Sequence, residues 1–144
     1  MVKRLPYKIF VESFKYVPRV AVNLLLQKDR QFLLNKRAIL PEKGSWHLPG
    51  SFLLKGEKLL DCAKRVGRNE LGVAIDVKKL KLLGIFDDTD KDIRGHIVDI
   101  VYGYEFEGDV VFKAGRDTEE IKLFHKIPGV VFAHENILKE LGYE

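Results

Sequence analysis

Between residues 46 and 73 the chain gathers the residue types that phosphate chemistry needs. The run is Trp46-x-Leu48-Pro49-Gly50, then Gly56-Glu57, then Arg65, then Glu70-Leu71-Gly72-Val73. Pro49-Gly50 predicts a sharp turn at the end of a strand, with a carbonyl left free. A loop and then a helix follow. On that helix residues 66 and 70 share one face, as do 65 and 69. Acidic side chains on such a face point at the loop and hold a hard divalent cation through oxygen ligands. Mg2+ suits the arrangement, because it keeps sites for water and for substrate phosphates. There it neutralises a diphosphate and polarises it for attack. Glu70 is the helix candidate for metal. Glu57 and Arg65 lie near the two ends of the unit, and Glu57 is read either as an ion-pair partner of Arg65 or as a second ligand.

The elements that must position these groups are read from apolar periodicity. Residues 17–27 (VPRVAVNLLLQ) predict a buried strand, and residues 31–37 (QFLLNKR) return as its hairpin partner. Residues 38–45 form a loop, and residues 46–54 read as two short strands broken at Pro49-Gly50. Leu60, Ala63, Gly67 and Leu71 fall at helical steps, with Gly72 as the stop. Strand patterns resume over 75–86 and 96–106, separated by the acidic loop 87–90, and a further pair is expected at 110–112 and 121–124. Residues 132–141 (FAHENILKEL) predict an amphipathic helix ended by Gly142. The sum is an α+β or α/β sandwich in one domain. Tyr7, Phe10, Phe14 and Tyr16 have roughly helical spacing and cover either the core or a partner in a homodimer.

Composition narrows the function classes. With 144 residues, 46% hydrophobic and 32% charged, the chain supports one ordinary core. No apolar run approaches the ~20 residues of a membrane span, and no membrane partner is expected. The net charge of +4 is spread along the chain among acids, as in Lys78-Lys79 and Glu119-Glu120. It reads as a solvated lysine-rich surface with a mild field for a phosphorylated small molecule, and nucleic acid is not an expected partner. A lone Cys62, read as a small core residue, excludes an intramolecular disulfide. A reducing, cytoplasmic setting is the expectation. His47, His96, His125 and His134 carry no partner spacing, so zinc is not expected and His47 reads as packing or surface.

Laid on the pattern G-x5-E-x7-R-E-U-x-E-E-x-G-U, where U is a bulky aliphatic residue, Glu57, Arg65, Glu70, Gly72 and Val73 match. Ser51 takes the first glycine, Val66 and Asn69 replace two glutamates, and Gly67 replaces the aliphatic residue. On these residues the chain resembles the Nudix hydrolases. The reduced box, with Pro18, Asn35-Lys36-Arg37, Pro41-x-x-Gly44 and Trp46, is similar to the GDP-mannose mannosyl hydrolase branch. The resemblance implies an α/β/α sandwich over residues 1–144, with a mixed sheet, a catalytic-type helix and a C-terminal helix. It implies Mg2+ or Mn2+ as cofactor and a nucleoside diphosphate derivative, a nucleotide sugar, as substrate.

The same resemblance assigns roles. Arg37 contacts the diphosphate, the Gly50 carbonyl and Glu70 hold the metal, and Arg65 ties to Glu57 or touches phosphate. Phe52 stands in the substrate region where the branch has an arginine. Residues 117–120 align with a loop that supplies a metal ligand and a histidine in that branch, and Glu119 or Glu120 is the expected ligand or general base. Trp46 either stacks on the base or anchors the turn. The rival expectation is a module that binds a nucleotide without turning it over, which Val66 and Asn69 favour.

Overall fold

A computed structural model describes residues 2–144, and its seven strands form one mixed sheet. Strand β1 (Arg19–Lys28) and strand β2 (Gln31–Arg37) begin it as a hairpin. Asp29 and Arg30 between them both take positive φ, the two-residue turn whose twist matches the strands. The hairpin pairs only at Gln27–Phe32 and Lys28–Gln31 before the strands part.

Into the gap goes the segment 46–52. Its first strand, β3 (Trp46–His47), pairs with β2, and its second, β4 (Gly50–Phe52), pairs with β1. The Leu24 N–H donates to the Pro49 carbonyl at the crossing point, 2.8 Å away. The outer edges are filled by long partners. Strand β6 (Ile97–Glu105) runs parallel to β1 and carries β5 (Lys81–Asp88) beyond it; β7 (Thr118–Phe124) runs antiparallel to β2.

Both faces of the sheet are covered. Val22, Leu24, Leu26, Leu33 and Ile100 pack on Cys62, Ala63, Val66 and Leu71 of helix α2 (Leu59–Leu71). Leu25, Phe32, Leu34 and Val101 pack on Ile137 and Leu138 of helix α3 (His134–Glu140). That is the α/β/α arrangement expected from the resemblance. Gly72 stops α2 in the left-handed conformation, as its position predicted. Helix α1 (Tyr7–Ser13) has no buried residue and is tied down by Phe10 and Phe14, edge-on to Phe52 of β4 at 5.5 and 5.4 Å. Among the described residues no helix is long and apolar enough to cross a membrane.

Four expectations shift. The strand predicted over 75–86 starts at Lys81, because Asp76 accepts the Lys78 N–H and closes a 3-10 turn over Val77–Lys79. Residues 110–112 form no strand. Phe112 packs edge-on against Phe106, and the next amide, Lys113 N–H, donates to the Leu71 carbonyl at the end of α2. Strand β7 begins three residues earlier than predicted, so Glu119 and Glu120 lie within it. The last helix starts at His134, since Phe132 adopts a φ of 61°.

Gly67 shows why a helix interior accepts glycine here. A Cβ at this position would overlap Ile75 Cγ1 and lie 3.2 Å from the Val73 carbonyl oxygen. Alanine gains about 1 kcal/mol of helix propensity, but overpacking costs roughly 1–3 kcal/mol, and the backbone carbonyl cannot move aside. Gly67→Ala is therefore expected to lower stability by up to about 2 kcal/mol in urea unfolding; a more stable variant would refute the close approach.

Candidate functional site

The site begins with an internal clamp. Arg65 grips Glu57 with two bonds, Nε to Oε2 at 2.8 Å and an Nη to Oε1 at 3.0 Å. The same guanidinium donates to Ser51 Oγ at 2.9 Å and to the Phe52 carbonyl at 3.0 Å. The Leu54 N–H completes the set on Glu57 Oε1. This bidentate pair holds the Glu57 carboxyl below the usual carboxylate range and locks the loop onto α2. Glu57 and Arg65 thus satisfy each other, and neither lines the cavity described next.

A cavity of about 880 Å³ opens at the split between β1 and β2. Glu70, in the last turn of α2, reaches into it. Residues 113–118 run past this helix end, with the Lys113 and Gly115 N–H groups on the Leu71 and Glu70 carbonyls. The segment brings Asp117 to the cavity wall. Next, β7 slips register: Lys36 faces Glu120 but Arg37 faces Thr118, leaving Glu119 as the extra residue of a bulge. Thr118 is thereby aimed at Glu70 and donates its hydroxyl to Oε2 at 3.1 Å. Burial raises the Glu70 carboxyl above its ordinary range and the nearby Asp117 adds to this, against the Thr118 bond and Arg37.

Facing these acids are two guanidiniums. Arg37, buried at the end of β2, is anchored by its Nε on the Pro41 carbonyl at 2.6 Å. Burial and then the neighbouring Arg94 push it below its ordinary value. Arg94 is fixed by two bonds to Asp92, at 2.9 and 2.8 Å. Phe132 lies between them, with the guanidinium carbons 5.3 and 4.7 Å from its ring. Two oriented cations beside two carboxylates can hold a diphosphate and the cation that accompanies it.

The Gly50 carbonyl is free for that purpose. Between β1 and the second half of the insert, the Leu24 N–H donates to the Pro49 carbonyl and the Leu53 N–H to the Val20 carbonyl. Alternation therefore leaves Gly50, opposite Asn23, at a non-bonded position with its carbonyl directed away from β1.

Comparison with known proteins fits this geometry. The NUDIX domain family model matches residues 15–139. The chain belongs to the NUDIX family. An ADP-ribose pyrophosphatase of Methanocaldococcus jannaschii is 38% identical over 125 residues, 85% of this chain and 72% of that protein. The MutT NUDIX hydrolase of Burkholderia pseudomallei superposes with a TM-score of 0.76 at 26% identity, over 87% of this chain and 98% of the other. The NUDIX domain of Shewanella oneidensis NrtR, solved with ADP ribose, superposes at 0.73 and 18% identity over 95% and 97% of the two chains.

Of the residues singled out in the sequence, the NUDIX fold brings Arg37, Gly50, Phe52 and Glu70 to one cavity. Trp46 does not reach it: the indole packs edge-on against Phe124 at 4.8 Å under Lys36, as the hydrophobic anchor. Glu119 and Glu120 are exposed on β7 and lie off the cavity. Their neighbour Asp117 lines it instead. Val66 is fully packed in the core and Asn69 is exposed, so the helix itself offers one carboxylate. Among the described residues no set of three acid, imidazole or thiol ligands is assembled.

Arg94, Asp99 and His47, which also line the cavity, escaped the sequence because the contacts that gather them are non-local; Asp117 fell inside the expected loop 117–120, but the expectation settled on Glu119 and Glu120. Asp99 is buried beside Asn23, whose amide donates to it at 2.9 Å. Burial raises this carboxyl from 3.8 to about 6. Below about pH 4 the group is protonated in folded and unfolded chains alike. As pH rises through 6 the folded protein must ionise a buried acid, and the stability it derived from the neutral form is lost. Asp99→Asn removes that loss. Its stability relative to the parent is expected to increase by about 3 kcal/mol between pH 4 and pH 8. Urea unfolding across that range measures it, and a pH-independent difference would contradict the assignment.

Proposed function

We propose that this NUDIX protein hydrolyses a nucleoside diphosphate linked to a sugar, with ADP-ribose ahead of GDP-mannose as substrate. The carrying observation is the pairing of Arg37 and Arg94 with Glu70 and Asp117 around one cavity. The M. jannaschii relative, an ADP-ribose pyrophosphatase by name, supports ADP-ribose.

The residues present fit a single Mg2+ or Mn2+. Glu70, Asp117 and the Gly50 carbonyl would hold it, and a diphosphate would fill the other positions, as is usual for a cation bound through one or two carboxylates. When bound, the ion supplies charge neutralisation and polarises a phosphoryl oxygen. Arg37 and Arg94 bind the diphosphate oxygens, each held in place by an acceptor of its own. Thr118 keeps the Glu70 carboxylate in one rotamer. The Asp117 carboxylate has no hydrogen-bond partner among the described residues, while its carbonyl accepts the Ala38 N–H, and the carboxylate oxygen not turned to the ion accepts a proton from the attacking water. Phe52, edge-on to Phe10 and Phe14, has the Arg94 and Arg19 guanidiniums over its ring at 5.0 and 5.5 Å, and acts on substrate by holding Arg94 in place.

A second reading is a nucleotide-binding module without turnover, favoured by the loss of helix carboxylates at Val66 and Asn69. Product analysis separates the two. ADP-ribose and GDP-mannose are incubated with and without Mg2+. AMP with ribose 5-phosphate marks attack at phosphorus, and GDP with free mannose marks displacement at the sugar carbon. Glu70→Gln should lower kcat at least about 100-fold with the melting temperature unchanged, while Arg37→Ala chiefly raises KM. Binding of either compound with no product would select the module.

A further inference from the structure

The cavity wall carries a polar group that diphosphate chemistry leaves unused. The Leu48 peptide, where the inserted segment crosses from β2 to β1, lies between two imidazoles. Its N–H donates to His134 Nδ1 at 3.0 Å. Its carbonyl, which can only accept, takes the proton of His47 Nδ1 at 2.7 Å. These two bonds fix both tautomers. His134 carries its proton on Nε2, 4.0 Å from Asp99 Oδ1. His47 carries its proton on Nδ1, which leaves Nε2 with a bare lone pair.

That lone pair has no hydrogen-bond partner among the described residues, although His47 is only 8% exposed and lines the cavity. A ring nitrogen that packing leaves open to the cavity in this way takes a donor from outside the protein. Phosphate oxygens offer only lone pairs and are the wrong complement. The aromatic ring beside His47, Phe132 at 6.4 Å, already lies between the Arg37 and Arg94 guanidiniums, 5.3 and 4.7 Å from it. The same wall presents a second acceptor, the Asp99 carboxyl, and a surface of acceptors matches a polyol.

We propose that His47 Nε2 accepts a hydrogen bond from a sugar hydroxyl of the nucleotide substrate, making His47 a specificity-determining residue. This inference rests on the substrate class proposed above. His134 is a positioning residue for it, holding the Leu48 peptide that orients the His47 ring. Burial and then Arg37 push the His47 imidazole down to about 4, so the lone pair persists at neutral pH.

The test measures ADP-ribose binding by calorimetry in a Glu70→Gln host, with His47, His47→Phe and His47→Gln. The ligands are ADP-ribose, analogues lacking one hydroxyl of either ribose, and the analogue lacking the purine amine. His47→Phe is expected to weaken ADP-ribose about 10-fold, and His47→Gln, which keeps an acceptor, to weaken it less. One deoxy analogue should bind the His47 protein about 10-fold worse and lose nothing further in the His47→Phe protein. Equal losses for every analogue, or coupling to the purine amine alone, overturn the inference and leave the substrate class standing. Should the parent chain neither bind nor cleave ADP-ribose or GDP-mannose, both the substrate class and the inference fall. Matching melting temperatures for the variants establish that the fold is intact, and a fallen value for His47→Phe makes His47→Gln the deciding protein: full ADP-ribose affinity with lost hydroxyl discrimination also overturns the inference.

Discussion

Everything at this site depends on the separation of β1 from β2. A hairpin of two long apolar strands ordinarily zips along its whole length, because each further pair adds ladder bonds and buried area. Here pairing stops after two registers, and residues 46–52 take over both inner edges. The backbone bonds that the hairpin gives up are recovered on the insert, so the split leaves few orphaned groups. What it creates is a cavity floored by main chain. The Gly50 carbonyl, the Leu48 peptide and the end of β2 meet there without any loop having to fold inward.

Such an insert is stable only if its far end cannot swing. The Arg65–Glu57 pair supplies that restraint with charge-assisted bonds to Ser51 and Phe52, next to the last paired residue of β4. Removing one partner would strand a mostly buried charge, which is the costly way to break such a pair. The motif residues therefore divide by role. One part of the pattern fastens the insert to α2, and Glu70, one turn further along the helix, faces the cavity. Helical spacing explains why both jobs fit in one short segment: residues 65 and 70 project to different sides of α2.

That division also sets what could be read from the sequence. Helix α2, its Gly72 stop, the broken strand at Pro49-Gly50 and the hairpin were legible, because each follows from local periodicity or turn chemistry. The late acids were not. A single bulge at Glu119 decides that Thr118 is buried against Glu70 and Asp117 borders the cavity while Glu119 and Glu120 lie off it, and nothing in the residue types announces a one-residue slip. Arg94 escaped for another reason. Asp92-Ile93-Arg94 has no pattern of its own, and its role appears only when the loop between β5 and β6 meets Phe52 and Phe132. His47 was read as packing, and it is packed; its function lies in the one ring nitrogen that packing leaves open.

The loss of acids at Val66 and Asn69 then acquires a physical sense. Val66 sits at about 1% exposure against Leu33 and Ile121 in the core beneath the cavity, where a carboxylate would need a cation at all times to offset its desolvation. An apolar side chain there stabilises the fold without any metal, and leaves Glu70 as the one helix acid whose charge the cation must answer. Around the cavity Glu42, Glu70, Asp92, Asp99 and Asp117 stand against Lys15, Arg37 and Arg94, so its lining carries an acidic surplus. A cage of several carboxylates attracts free metal strongly and must be shielded from it when no substrate is bound. Here the guanidiniums of Arg37 and Arg94 temper that attraction: the acidic surplus favours a cation, and the two guanidiniums favour a diphosphate that would accompany it. Under the proposed function, coupling of metal affinity to substrate would follow from this mixed donor set, and would require no moving part.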